Sequence, residues 1–182
     1  NPMLRSINKA AQEVFDTIGY PTKKDEDWKY CDLSSFKSKS FRISESFSSD
    51  NKQLLLNNKD HLNRLVIING KLIIKDIVDT DKKIEINTIS NILKNDNSLL
   101  QYLKHTDLSN PFLIMNSAHL SDGVHIRIPK NMVCDSPIYI TSISSDKMGL
   151  HSNYSRIHIH AEAGSQVTII EHNIYSNHRE YY

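Results

Sequence analysis

The stretch 110–129 changes its hydrophobic period half-way along, and this change constrains the fold more than any other feature of the chain. Its first part spaces apolar residues as on one face of a helix, which we expect to begin with Asn110 as the N-cap and Pro111 at the first helical position. Asp122-Gly123 is predicted to end this helix, because glycine adopts the left-handed conformation without a steric penalty. From Val124 onward apolar and polar residues alternate, as in a strand with one buried face. A helix is therefore expected to lead directly into strands.

The segment upstream of this junction mixes helix and strand patterns. Residues 2–18 carry an amphipathic helical stripe, and Gly19 directly after it predicts the end of that helix. Asn69-Gly70 lies between two apolar runs, which is the strongest short-range signal for a β-hairpin. Residues 84–92 predict a strand followed by a turn, and residues 98–105 predict a short helix.

The segment after the junction is predicted to be almost entirely strand. Three further alternating segments follow, at residues 137–143, 154–161 and 166–175. Short, evenly spaced strands are typical of a sandwich, a barrel or a stacked solenoid, and periodicity alone does not choose among the three. We therefore expect an α+β fold, with a small N-terminal domain at residues 1–108 and a strand-rich domain at 109–182. Because the sequence stops directly after a strand, we interpret it as an N-terminal fragment.

Composition narrows the class of protein. The 182 residues include 22 basic and 21 acidic side chains, so a net charge of +1 provides no general attraction for nucleic acid or for an anionic membrane. No apolar run approaches the roughly 20 residues that span a bilayer. Neither Cys31 nor Cys134 has the spacing of a metal or redox motif, which is typical of unpaired thiols in a reducing compartment. We expect a cytoplasmic protein without nucleic-acid or membrane partners.

The segment 21–36 is dense in charged and aromatic residues. Trp28, the sole tryptophan, is predicted to anchor this segment to the first helix, because an aromatic ring buries enough area to fix an otherwise irregular chain. Lysines beside aromatic side chains also suit nucleic acid, but the acidic residues interleaved here would repel phosphate. We therefore predict a structural role for this segment.

Histidines near the C-terminal end offer a candidate metal site. His158 and His160 share one strand face, Glu162 continues that face, and His172 lies in the next predicted strand. His125 lies on an earlier strand that can come near them. Imidazole pairs with a carboxylate suit zinc, iron or nickel, and an H-x-H strand pair is similar to the start of a cupin metal site.

The spacing nevertheless differs from that of cupins, whose Glu lies further along and whose second motif is framed by glycine. The alternative, which we favour, is that these histidines are solvated side chains opposite a buried face formed by Ile157 and Ile159. The sequence has no G-x-S-x-G, no activated cysteine and no phosphate-binding glycine loop. We therefore expect no catalytic, cofactor-binding or metal-binding residues and no enzyme activity. The competing hypothesis is a cupin-like metal-dependent enzyme that uses His158, His160 and His172.

Two stretches are together similar, in order and spacing, to a known family. The first is Arg5-x4-Ala10-x4-Phe15-x3-Gly19-x-Pro21-Thr22-x-Lys24-x-Glu26-Asp27-Trp28-Lys29-Tyr30-x2-Leu33. The second is Asn110-Pro-Phe-x3-Asn116-x-Ala118-x3-Asp122-Gly123-x2-Ile126-x-Ile128-Pro129, followed by Pro137-Ile138-x-Ile140. They resemble the SufB/SufD family of iron–sulfur cluster assembly subunits, and the first stretch looks more like SufD than SufB. The resemblance covers most of residues 1–176 and is weak between residues 36 and 108.

The resemblance implies an architecture and a role. Family members have an N-terminal mixed domain, a right-handed parallel β-helix and a C-terminal helical domain, so residues 109–182 would hold the first coils of the β-helix. They act with SufB and the ABC-type ATPase SufC as a scaffold on which clusters are built, which implies SufB-like and SufC-like partners. The family's functional residues lie later in the chain, so no site residue is carried over. The cluster is then handled by the full complex, and no cofactor is expected in this fragment. Cys31 stands where the family usually has threonine, and we expect a small buried side chain there.

Overall fold

The computed structural model describes residues 2–43, 63–77, 83–104, 110–144 and 150–175. In these residues the helices are α1 (Pro2–Ile18), a 3-10 turn (Glu26–Trp28), α2 (Ser34–Lys37), α3 (Ile89–Ile92), α4 (Leu100–Leu103) and α5 (Pro111–Ala118). The strands are β1 (Arg42–Ile43), β2 (Asn63–Ile68), β3 (Lys71–Asp76), β4 (Glu85–Thr88), β5 (Val124–Ile128), β6 (Ile138–Ser144), β7 (His151–Ser152), β8 (Ile157–Ala161) and β9 (Ile169–Tyr175). The predicted α+β content is confirmed. The predicted short helix at 98–105 is α4, and its last residue lies outside the described part of the chain.

Two sheets carry most of the strands. The large sheet has four strands in the order β3-β2-β6-β9, and the small sheet has three in the order β4-β5-β8. In each sheet the first pair is antiparallel and the later pairs are parallel. Along the chain β5, β6, β8 and β9 alternate between the small and the large sheet. These four strands therefore add one strand to each sheet, twice in succession.

The main core lies between these two sheets. From the small sheet, β5 contributes Val124, Ile126 and Ile128, all fully buried, while His125 and Arg127 of the same strand are only half-buried. This is the alternation predicted from the sequence. The large sheet contributes the fully buried side chains Leu65, Ile67, Ile138 and Ile140. Burial of an aliphatic side chain of this size contributes about 1.5–3 kcal/mol, so the facing isoleucines and leucines hold the sheets together.

Two local signals in the N-terminal part are confirmed. Helix α1 has the predicted bounds and ends at Gly19, whose φ is 65° and whose N–H donates to the carbonyl oxygen of Phe15 at 2.7 Å. The hairpin of β2 and β3 turns at Asn69 and Gly70, with φ of 48° and 80°. Glycine or asparagine at these places removes most of the steric cost of a positive φ.

Helix α5 begins as predicted but ends earlier. The side-chain oxygen of Asn110 accepts a hydrogen bond from the Phe112 N–H at 3.1 Å, which caps the helix. The helix stops at Ala118, and Gly123 does not have a positive φ, so the prediction that Asp122-Gly123 ends it was wrong. Glycine is required there for space, because a Cβ atom would lie 2.5 Å from the carbonyl oxygen of Arg156.

The antiparallel strands β3 and β4 lie at one edge of their sheets within the described residues. Lys71, Lys75 and Asp76 on β3 are exposed, and charged side chains on an edge strand disfavour pairing with another chain. The Lys75 ammonium also donates to the carbonyl oxygen of Ile86 at 2.8 Å, which connects β3 to β4 across the two sheets.

Three predictions about burial and packing were wrong. Ile159 is 43% exposed and Ile157 is half-buried, because β8 has a sheet neighbour on one side only within the described residues. Trp28 packs on Phe112 of α5, at 5.3 Å between ring centroids, instead of on the first helix. Cys31 is exposed instead of buried, and within the described residues neither Cys31 nor Cys134 forms a disulfide.

The predicted boundary between residues 108 and 109 is crossed by both sheets. Strand β2 pairs with β6, and β4 pairs with β5, so backbone hydrogen bonds join the two predicted segments. The division into two domains stays a prediction. Among the described residues, the helices are too short or too polar to cross a membrane.

Candidate functional site

The outward face of the small sheet carries the predicted histidines in two rows. The strand register aligns Glu85, Arg127 and His160 in one row. The adjacent row contains Asn87 and His125, followed by His158. Because side chains in one registered row point to the same face of a sheet, these groups share one surface. We call it the histidine face.

His125 and His158 are in direct contact on this face. Their Nδ1 atoms lie 2.8 Å apart, and the two rings stack at 4.9 Å between centroids with an interplanar angle of 16°. The ring of Tyr102 lies beside His158 at 5.2 Å between centroids, which shields that side of the imidazole from water. One Nδ1 must carry a proton and the other must be unprotonated for this hydrogen bond to form.

Burial lowers the pKa of both histidines below the ordinary value. For His125 the next causes are the neighbouring His158 and His160, and for His158 they are His160 and Arg156. Each of these neighbours disfavours a second positive charge. These neighbours and burial therefore favour the neutral form of both imidazoles, and the hydrogen bond between them carries one proton.

Arg127 lies between two carboxylates on the same face. It forms ion pairs with Glu85 and with Glu162, and its Nε donates to Glu162 at 2.6 Å. Glu162 also accepts from the backbone N–H of Lys130 at 2.9 Å. Arg127 and then this backbone bond lower the pKa of Glu162, while the bond to Glu162 raises the pKa of Arg127. Glu162 thus lies on the histidine face as predicted, but its carboxylate is paired with Arg127.

His172 is not part of this arrangement. It lies on β9 in the large sheet, where its register partner is Thr141 of β6, and it is exposed. His158 and His160 lie on β8 in the other sheet, so the trio required by the cupin-like hypothesis is not brought together, and that hypothesis was wrong. Across the described segments, no group of three or more His, Cys, Asp or Glu side chains is arranged to hold a metal ion. The favoured prediction is confirmed for the outward orientation of His158 and His160, but His158 is half-buried against His125 instead of solvated.

A second structural centre was missed in the sequence. The ring of Phe112 on α5 lies 5.3 Å from that of Trp28, 6.0 Å from that of Phe36 and 6.1 Å from that of Tyr20, measured between centroids. These separations are typical of aromatic pairs that add to stability beyond area burial. Next to this cluster is a cleft of about 600 Å³ lined by polar and apolar side chains, the apolar and aromatic ones including Phe36, Phe41, Phe112, Met115, Tyr154 and Tyr175. The recurrence of aromatic residues in the segment 15–41 was the available signal, but its partner on α5 is distant in sequence.

Helix α1 is also attached to the end of α5. The Asn8 side-chain amide donates to the carbonyl oxygens of Ser117 and Leu120, at 2.7 and 3.0 Å. Asn8 therefore adds a hydrogen bond to carbonyl groups at the C-terminal end of α5, where helix carbonyls lack intrahelical partners. Together with the contact of Trp28 and Phe112, this places the two motif-bearing stretches of the sequence in one packed unit.

Comparison with known proteins identifies the family that carries these two stretches. The model of the SufBD protein N-terminal region matches residues 1–140 of this chain, which is most of its length. The chain belongs to the SufBD family. A SufBD family protein of Synechocystis sp., described as acting in iron–sulfur cluster assembly, is 27% identical over 173 residues. The match covers 91% of this chain but only 38% of that relative, so the chain spans well under half of the relative's length.

The region matched by the family model contains the aromatic cluster. The SufBD model covers both Trp28 and Phe112, and it ends at residue 140, within β6. The matched region therefore includes α1, the aromatic cluster and the first strands of both sheets. The histidine face lies partly beyond it, because His158 and His160 follow residue 140.

Proposed function

We propose that this SufBD chain is the N-terminal part of a non-catalytic scaffold subunit for iron–sulfur cluster assembly, on the SufD side of the family. The match of the SufBD N-terminal model over residues 1–140 carries this proposal, and the Synechocystis relative named for cluster assembly supports it. The partners are a SufB-like subunit and a SufC-like ATPase. The cluster is a product handled by the whole complex, which we place in the cytoplasm.

The assignment to the SufD side rests on the first motif. The segment from Pro21 to Tyr30 looks more like SufD than SufB, and Trp28 within it makes a defined contact with the second motif through Phe112. The role of this segment is therefore internal, because it holds the N-terminal residues against α5.

We also propose that residues 109–182 form the first coils of a right-handed parallel β-helix, with residues 1–108 as a preceding domain. The supporting observation is the alternation of β5, β6, β8 and β9 between two stacked sheets with parallel pairing. In a solenoid each coil contributes one strand to each sheet, and α5 covers the first coil. An experimental structure of the full-length protein tests this, and strands returning to a sandwich of antiparallel pairs would contradict it.

Co-purification tests the function. The full-length protein is tagged and produced together with the SufB-like and SufC-like proteins of the same organism, with each partner omitted in turn as the control. We expect a stable complex that contains all three proteins, and faster cluster assembly on the complex than on any single subunit. Elution of the tagged protein alone, when both partners are present and folded, would refute the proposal.

A further inference from the structure

We propose that His125 and His158 form a two-imidazole binding site for a divalent transition-metal ion that prefers square-planar or tetragonal coordination, Cu²⁺ or Ni²⁺, with water in the remaining positions. The proposal is independent of the scaffold function and implies no catalysis. It uses a different set of residues from the cupin-like hypothesis, since neither His160 nor His172 is a ligand.

The separation of the two nitrogen atoms carries the proposal. The Nδ1 atoms of His125 and His158 are 2.8 Å apart. Two nitrogens bound to one metal at about 2.0 Å are roughly 2.8 Å apart when the angle at the metal is a right angle, and roughly 3.3 Å apart in a tetrahedral site. The observed separation matches the right angle, which is the angle between neighbouring ligands in tetragonal Cu²⁺ and Ni²⁺ sites.

The backbone holds this pair in position. His125 lies on β5 and His158 is its register partner on β8, so the spacing between parallel strands fixes the distance between their Cα atoms. Val124 and Ile126, on either side of His125 in β5, are fully buried, which fixes the strand from the other face. Asn87 occupies the same row on β4. A site built on paired strands keeps its geometry without bound metal.

The charges around the pair are mixed. Arg127 is paired with Glu85 and Glu162 on the same face, whereas Arg156 and His160 near His158 disfavour a further positive charge. Coordination by the two imidazoles therefore has to outweigh this repulsion. It also requires the bridging proton to move from Nδ1 to Nε2 of the imidazole that carries it.

Titration of the purified protein with Cu²⁺ tests the proposal. Isothermal titration calorimetry gives the stoichiometry and Kd, and electron paramagnetic resonance reports the number of coordinating nitrogen atoms. We expect one Cu²⁺ per chain with coupling to two imidazole nitrogens. His125→Gln and His158→Gln are each expected to raise the Kd by more than the roughly tenfold loss caused by removing an outer-shell partner. His172→Gln, which alters an exposed histidine on the other sheet, is the matched control and should leave the Kd unchanged.

A second measurement does not depend on the variants' folding. In the unmodified protein, substoichiometric Cu²⁺ should broaden the imidazole proton resonances of His125 and His158 before those of the other histidines. Broadening of all histidines together, or an equal Kd in all three variants, would show adventitious surface binding and overturn the proposal.

Discussion

Replacing Arg156 by alanine should destabilise the protein by about 2–4 kcal/mol, the range of effects seen when a buried polar network is broken. Arg156 precedes β8, and its guanidinium reaches residues of α4 and α5. Its Nε and one terminal nitrogen donate to the side-chain oxygen of Asn116 at 2.9 and 2.6 Å. It also donates to the hydroxyl of Ser117 at 3.1 Å and to the carbonyl oxygen of Leu103 at 3.4 Å. It thus joins α4, α5 and β8.

The magnitude follows from the groups that lose a partner. Burial lowers the pKa of Arg156, which shows that its charge is partly desolvated, and the partners are all neutral. Leaving a buried acceptor unsatisfied costs about 1–3 kcal/mol, and the half-buried Asn116 oxygen should cost an amount near the lower end of that range. Loss of the packed aliphatic stem adds a similar amount, about 0.8 kcal/mol for each buried methylene. Ser117 and Leu103 keep their mutual hydrogen bond at 3.4 Å, so they contribute less.

The assay is urea unfolding followed by circular dichroism. Arg156→Lys, which keeps the charge but loses the fork of donors, should show an intermediate loss. Arg5→Ala on the exposed side of α1 is the matched control, with an expected change within about 0.5 kcal/mol. The double variant Arg156→Ala/Asn116→Ala should lose less than the sum of the single variants. A loss below about 0.5 kcal/mol for Arg156→Ala, or strictly additive losses, would refute the reasoning.

Three further predictions concern the backbone, a helix cap and pH. Gly123→Ala should lower the stability by about 1–3 kcal/mol through overpacking, because the new Cβ would meet the backbone oxygen of Arg156. Gly19→Ala, where the space is open, should cost only the left-handed backbone strain of about 1–2 kcal/mol. Thermal unfolding of both variants compares the two effects. Asn110→Ala should lower the stability by about 1 kcal/mol through loss of the α5 cap, and Asn110→Ser should restore most of it in the same unfolding assay. Because Arg127 lowers the pKa of Glu162 below its ordinary value of 4.5, the stabilisation is present above that value and is lost as the pH falls through the lower, folded-state pKa. Glu162→Gln should therefore flatten the dependence of the urea midpoint on pH below about pH 4.5, and an unchanged slope would contradict the ion pair.

Local signals in the sequence predicted most of the elements that depend on local physics. The bounds of α1, the turn at Asn69-Gly70 and the alternation of β5 follow from helix stops, positive φ and side-chain period, which a few neighbouring residues determine. Gly123 shows where such reasoning ends. Its neighbours suggested a helix terminus, but the reason for glycine is the backbone of Arg156, which is distant in the chain.

The site was predictable to the same extent. Strand alternation placed His158 and His160 outward, which is a local inference, and the structure agrees for both. That His125 forms a hydrogen bond with His158, whereas His172 lies on another sheet, depends on strand register and sheet order. Trp28 likewise met Phe112 instead of α1, because an aromatic residue signals that it will be buried but does not indicate its partner.

The two edges of the sheets differ, because the charged antiparallel strands β3 and β4 lie at one of them. Within the described residues, a new strand can extend both sheets beside β8 and β9, whereas β3 at the opposite edge presents lysines. Extension of the two sheets is therefore favoured in one direction, away from β3 and β4. This is the direction in which further coils of the proposed β-helix would stack, each adding one strand beside β8 and one beside β9.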